Sequence, residues 1–109
     1  MRKAVAMWYI GRMASLYVFE NGVQISRVPL RSDTVTVGRL KTNAVVLDNP
    51  GVSRQHLRID GDPSGTIFVL EDLQSLNGTF VGGRKVSACV LRNGDEIHLG
   101  KHSILFEDS

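Results

Sequence analysis

The segment SLYVFENGVQISRV, residues 15–28, predicts a β-hairpin. Residues 15–20 are rich in aromatic and β-branched side chains, which favour extended strands. Asn21-Gly22 follows directly, and this dipeptide accepts positive φ angles and closes a tight hairpin turn. Residues 23–28 form the return strand. The hairpin therefore predicts a chain built from short strands joined by turns.

The rest of the chain continues this pattern. Further short strands are predicted at residues 33–37, 44–47, 56–60, 66–70, 79–81, 96–99 and 103–106. The alternation of Val35 with Val37, and of Leu57 with Ile59, predicts side chains that face inward. No segment of ten or more residues combines a helical period with capping residues. Short strands at close spacing indicate an all-β sandwich.

Length and composition fit one globular domain with one core. The chain has 109 residues, of which 42% are hydrophobic and 22% are charged. The formal net charge is +2, but Arg2, Lys3 and Arg12 all lie in residues 1–12, which contain no acid. The remaining residues carry slightly more acidic than basic side chains. A DNA-binding domain clusters Lys and Arg on one face, and the sequence of residues 13–109 shows no such run. Nucleic acid is therefore not an expected partner.

Residues 1–12 fall outside the strand pattern. We expect them to form a leader that is disordered or adds an extra strand, and we expect the domain itself at residues 13–109. The apolar stretch at residues 4–10 is too short to span a bilayer, so no membrane association is expected. Cys89 is the single cysteine, which precludes an internal disulfide and favours the cytoplasm. A monomer is the default expectation.

Three predicted loops carry the residues with distinctive chemistry. They contain Gly38-Arg39, then Ser53-Arg54-Gln55-His56, and then Ser75-Leu76-Asn77-Gly78-Thr79, followed later by Gly94-Asp95 and Gly100. In this order and at these separations, the residues closely resemble the forkhead-associated (FHA) domain family. The resemblance covers roughly residues 15–107. It implies an eleven-stranded β-sandwich with recognition loops at one end, and binding of phosphothreonine peptides.

The resemblance also implies roles for individual residues. Arg39, Ser53 and Arg54 are expected to bind the phosphate, and Asn77 and Leu76 are expected to hold the peptide backbone. A phosphothreonine carries a charge of about −1.5 to −2 and three acceptor oxygens, which suit guanidinium and hydroxyl donors. The amide of Asn77 both donates and accepts, as an extended peptide requires.

Three further residues are expected to support the loops. Gly38, His56 and Gly78 are interpreted as scaffold, with His56 bonded to nearby backbone and Gly78 permitting a sharp turn. Leu76 departs from family members that place Thr or another polar residue there to contact phosphate. Losing one charge-assisted hydrogen bond would cost about 1.5–3 kcal/mol, which leaves micromolar binding.

Each site residue also has a simpler explanation when it is taken alone. Arg39 fits a solvated surface charge, and Ser53 fits a turn hydroxyl bonded to its own backbone. Arg54 fits a partner that neutralises Asp48. Asn77-Gly78 fits an ordinary type I′ hairpin turn. We favour the binding interpretation because all of these residues occur together in the order of one family.

Other function classes find weaker support. Asp48, Ser53 and His56 supply the residue types of a hydrolase triad, but no nucleophile elbow accompanies them. Cys89 with His98 or His102 would resemble a thiol dyad, and the two histidines alone are too few ligands for zinc. We therefore expect no enzyme activity, cofactor or metal, and an adaptor or regulator in a Ser/Thr kinase pathway. The alternative is an FHA scaffold that binds a folded partner without phosphate.

Overall fold

The computed structural model describes residues 14–108, which form eleven strands and no helix. The strands are β1 (Ala14–Glu20), β2 (Val23–Leu30), β3 (Thr34–Gly38), β4 (Val45–Val46), β5 (Leu57–Gly61), β6 (Phe68–Asp72), β7 (Phe80–Val81), β8 (Arg84–Lys85), β9 (Ala88–Val90), β10 (Glu96–Leu99) and β11 (His102–Asp108). One sheet has the order β2-β1-β11-β10-β7-β8, and the other has the order β4-β3-β5-β6-β9. The expected eleven-stranded all-β sandwich is confirmed.

The core lies between the two sheets. Val35, Val37, Leu57 and Ile59 are all buried, as their alternation predicts. Other large side chains with almost no exposure come from both sheets, and they include Leu16, Phe68, Leu70, Ile97, Leu99, Ile104 and Phe106. Burying such a side chain contributes about 1.5–3 kcal/mol. This core fixes the strand ends from which the loops project.

The predicted hairpin forms as expected. Asn21 and Gly22 have φ angles of 51° and 82°, the positive pair that a type I′ turn requires. β1 pairs with β2 on one side and with β11 on the other, both antiparallel. β2 is the edge strand of its sheet, and Val23 and Ile25 are 66% and 49% exposed.

Two strands escape prediction, and a third, β6, begins two residues later than expected. β8 and β9 are only two and three residues long, too short to show a period. β6 begins at Phe68 rather than at residue 66, because the amides of Thr66 and Ile67 donate to the Asp62 carboxylate at 2.8 and 2.9 Å. Those two residues therefore belong to the turn between β5 and β6.

The interpretation of residues 1–12 lies outside the described residues. Within residues 14–108, nothing has the length and apolar character of a helix that could cross a membrane.

The Asp62 turn predicts an acid-dependent contribution to stability. Hydrogen bonds from Ser64, Ile67 and Thr66 lower the pKa of Asp62 from 3.8 to about 2. Since the folded pKa lies below the unfolded value, the contribution is complete above pH 3.8 and is lost as pH falls through about 2. We expect the free energy of unfolding of Asp62→Asn, measured in urea, to approach that of wild type as pH falls across this range.

The matched control is Asp33→Asn. Asp33 is exposed, and its carboxylate accepts no hydrogen bond from residues 14–108. A difference between wild type and Asp62→Asn that stayed constant down to pH 2 would contradict the assigned role of the carboxylate.

Candidate functional site

A cleft of about 310 Å³ opens at one end of the sandwich, where three loops meet. The loops follow β3, precede β5 and precede β7. The residues that line the cleft are Arg39, Pro50, Val52, Ser53, Arg54, Gln55, Leu76 and Asn77. The cleft thus brings together the two arginines, the serine and the two backbone-binding candidates singled out in the sequence.

Arg39 is oriented by backbone rather than by an acidic side chain. Its amide donates to the Ser53 carbonyl at 3.0 Å, and its Nε donates to the Val52 carbonyl at 3.1 Å. A guanidinium carries five N–H donors, so the four on its terminal nitrogens remain available. Within residues 14–108 neither Arg39 nor Arg54 forms an ion pair, and Asp48 does not neutralise Arg54. The cleft therefore carries positive charge.

Ser53 is fixed by the neighbouring loop. Its Oγ accepts a hydrogen bond from the amide of Leu76 at 3.0 Å, across 23 positions of sequence. This contact argues against a turn hydroxyl bonded to its own backbone. Because the hydroxyl acts as acceptor here, its hydrogen stays free to be donated to a ligand. The contact also engages the amide of Leu76, a residue that is 88% exposed.

His56 joins two of the loops from below. It is fully buried, and its Nδ1 accepts the amide hydrogen of Ser53 at 3.0 Å. Since a backbone amide can only donate, the ring hydrogen resides on Nε2, which lies 3.0 Å from the Gly78 carbonyl and donates to it. Both ring nitrogens are therefore engaged, and His56 cannot act as a base toward the Ser53 hydroxyl as a hydrolase triad requires.

Gly38 allows two loops to approach closely. A Cβ at this position would collide with the carbonyl oxygen of Arg54. That carbonyl also accepts from the amide of Leu40 at 3.2 Å and from Nδ2 of Asn43 at 2.8 Å. Asn43 is buried and was missed by the sequence analysis. Its partner is eleven positions away, so an asparagine in a loop gives little signal of this role.

Asp72 organises the third loop and was also missed. Its carboxylate accepts from the amide and hydroxyl of Ser75 at 3.0 and 2.6 Å, and from the hydroxyl of Thr79 at 2.7 Å. Partial burial raises the pKa of Asp72, but these hydrogen bonds outweigh it and the pKa is lowered overall. The Ser75 hydroxyl in turn accepts from the amide of Gly78, which has a φ of 89°.

Asn77 links the second and third loops at the rim of the cleft. Its Nδ2 donates to the Gly51 carbonyl at 3.1 Å, while Oδ1 accepts nothing from residues 14–108. A type I′ turn needs positive φ at both central residues, and here Gly78 has it but Asn77 does not. The ordinary hairpin explanation for this dipeptide is therefore wrong.

The remaining candidates lie apart from the cleft. Cys89 is in β9, whereas His98 and His102 are in β10 and β11 of the other sheet. Burial, and then the charge of Asp95, raises the pKa of the Cys89 thiol, which disfavours the nucleophilic thiolate. Residues 14–108 contain no group of three or more side chains able to hold a metal ion.

Comparison with known proteins gives a consistent result. Residues 35–100 match the model of the FHA domain. Glycogen accumulation regulator GarA of Mycolicibacterium smegmatis is 39% identical over 83 residues, which cover 74% of this chain and 50% of GarA. The chain therefore spans half the length of that relative, and it aligns with 21% of the transcriptional regulator EmbR of Mycobacterium tuberculosis.

Solved structures extend the similarity to the fold. A structure from an analysis of phosphothreonine-dependent FHA domain interactions superposes with a TM-score of 0.78 at 33% identity, covering 87% of this chain and 95% of that one. Mycobacterium tuberculosis EmbR in complex with a low affinity phosphopeptide superposes with a TM-score of 0.77 at 31% identity, covering 98% of this chain and 30% of EmbR.

The contact at Gly38 makes a prediction about stability. Gly38→Ala should lower the free energy of unfolding by about 1–3 kcal/mol, because the added methyl group displaces the backbone of Arg54. Urea unfolding measures this loss. The matched control is Gly51→Ala, where the nearest atom is a side-chain oxygen 3.3 Å away and the nearest backbone atom lies 3.8 Å away. Equal losses in the two variants would show that Gly38 is not a point of close approach.

Proposed function

Because the chain belongs to the forkhead-associated domain family, we propose that it is a phosphothreonine-peptide binding module that regulates Ser/Thr kinase signalling. One observation carries the proposal. Arg39, Arg54 and Ser53 line one cleft, and no acid among residues 14–108 pairs with either arginine.

The cleft suits a dianion on physical grounds. A phosphothreonine presents three acceptor oxygens, and hydrogen bonds to charged groups contribute about 1.5–3 kcal/mol each. The terminal nitrogens of Arg39 and the Ser53 hydroxyl are held in place before a ligand arrives, by the Val52 carbonyl and the Leu76 amide. Little conformational entropy is then lost on binding, which favours affinity.

The peptide backbone is proposed to lie along the rim. Asn77 accepts through its free Oδ1 and donates through Nδ2, which can exchange the Gly51 carbonyl for a peptide carbonyl. Leu76 contributes its own carbonyl, since its amide already donates to Ser53. Gly38, His56 and Gly78 act as scaffold, because their contacts fix the loops and they do not line the cleft.

Relatives and structural neighbours support the peptide as partner. One neighbour comes from an analysis of phosphothreonine-dependent FHA interactions, and another was solved with a phosphopeptide. The relatives GarA and EmbR are named as regulators. We propose a cytoplasmic adaptor or regulatory role without catalysis or cofactor, consistent with a single unactivated cysteine.

One observation favours the alternative of a scaffold that binds a folded partner without phosphate. Leu76 is 88% exposed at the rim, where its side chain offers an apolar contact. Titration with paired peptides that differ only in the phosphate on one threonine separates the two functions. Equal affinity for both peptides would favour the scaffold and exclude phosphate recognition.

Replacing Arg39 tests the phosphate contact. Arg39→Ala should weaken binding of the phosphorylated peptide by more than about 1.5 kcal/mol, because a charge-assisted contact is lost. Isothermal titration calorimetry measures the change. Arg31→Ala is the control, since Arg31 is exposed and does not line the cleft. Unchanged affinity in Arg39→Ala, or an equal loss in both variants, would contradict the assignment.

Replacing Asn77 tests the backbone contact. Asn77→Ala should weaken the phosphorylated and the unphosphorylated peptide by similar factors, because its amide contacts backbone rather than phosphate. Competition titrations with the paired peptides measure both factors, and thermal unfolding confirms that the variant is folded. A loss confined to the phosphorylated peptide would assign Asn77 to the phosphate instead.

A further inference from the structure

A second cleft, of about 400 Å³, lies where the open edges of the two sheets meet. β8 is the last strand of the six-stranded sheet, and β9 is the last strand of the five-stranded sheet. Both edges contribute to the lining. The side chains that carry the argument are the cationic Arg84, Lys85 and Arg92 and the apolar Val81, Val86 and Val90.

The second cleft has an excess of positive charge. Arg84, Lys85 and Arg92 are exposed, and within residues 14–108 none of them forms an ion pair. Asp95 is the acidic residue of the lining. Its carboxylate is engaged by the backbone amide of Arg92 at 2.8 Å. The cations are therefore available to anionic groups of a ligand.

Among residues 14–108, the edge of β9 that faces this cleft has no backbone partner. The amide of Leu91 donates to the Phe68 carbonyl, and the Ser87 carbonyl accepts from Asp72, each at 2.8 Å, so both residues face the adjacent strand β6. Backbone groups alternate in direction along an antiparallel strand. Ala88 and Val90 therefore direct their N–H and C=O groups away from β6, toward the open edge.

We propose that an extended acidic segment of a partner protein adds to β9 as a further strand, with its carboxylates meeting Arg84, Lys85 and Arg92. Strand addition satisfies the free backbone groups of the edge. The exposed Val90, at 57%, supplies an apolar surface for alternate side chains. The proposal rests on a different surface from the phosphothreonine cleft and does not depend on it.

Other occupants fit the cleft less well. A second copy of the chain pairing β9 with β9 would bring the same cations together, which is unfavourable. A nucleic acid would meet the charge but not the three valines or the open strand edge, because nucleic-acid interfaces are markedly polar and cationic. The observations therefore favour an acidic peptide.

The test uses the whole chain and a labelled synthetic peptide of alternating glutamate and valine that contains no threonine and no phosphate. Fluorescence anisotropy should detect binding that Arg84→Glu/Arg92→Glu weakens by at least about tenfold. Lys85 is left intact because its stem packs against Gly78. The control Arg27→Glu/Arg31→Glu makes the same change in net charge elsewhere and should have less than about a twofold effect.

Two further measurements distinguish binding at this second cleft from binding at the phosphothreonine cleft. Arg39→Ala should bind the acidic peptide as wild type does, even if phosphothreonine binding itself fails to appear. In wild type, NMR chemical shifts should change at the amides of Ala88 and Val90 and not at those of Ser53 and Leu76. This measurement holds whether or not the double variant folds.

Several results would overturn the proposal. They are absence of binding, equal losses in the two charge-reversal variants, loss of binding in Arg39→Ala, and shifts confined to the loops around Ser53. Tighter binding of a single-stranded DNA oligonucleotide at the same residues would assign the cleft to nucleic acid instead.

Discussion

The buried imidazole of His56 is the interaction on which the recognition end depends. Nδ1 accepts a hydrogen bond from the amide of Ser53, and Nε2 donates one to the carbonyl of Gly78. These two contacts fix the distance between the second and third loops. Since the Ser53 hydroxyl accepts from Leu76 and Asn77 reaches the Gly51 carbonyl, the remaining loop contacts follow from that spacing. A buried polar group with every partner satisfied gives rigidity as well as stability.

The cleft keeps its charge because a backbone carbonyl, not a carboxylate, orients Arg39, and no acid among residues 14–108 pairs with Arg54. Carbonyls of Val52 and Arg54 hold the first two loops together. The carboxylate of Asp72, which organises the third loop, accepts hydrogen bonds from the hydroxyls of Ser75 and Thr79. An arginine oriented by a carboxylate would lose much of its attraction for a dianion, whereas one oriented by a carbonyl retains its full charge.

The sequence predicts those parts of the structure that depend on local patterns. Alternation in β3 and β5 identifies their buried faces, and Asn21-Gly22 identifies the hairpin. Arg39 and Ser53 can be singled out only because the motif residues occur in the order that is typical of the FHA family. The roles of Asn43 and Asp72 could not be predicted, because each is defined by partners brought together by the fold rather than by neighbouring residues. β8 and β9 are too short for any period to appear.

Asp72 also connects the two clefts. Its side chain holds the loop before β7, and its amide donates to the carbonyl of Ser87, the residue before β9. Coupling between two sites requires an element that can adopt two arrangements. The hydrogen bonds of Asp72 are all satisfied in the one arrangement described above. Two ligands would then bind independently on a rigid body. A single partner carrying a phosphothreonine and an acidic segment would still gain, because binding at one cleft raises the effective concentration at the other. The length of chain between its two segments, rather than a conformational change, would set that gain.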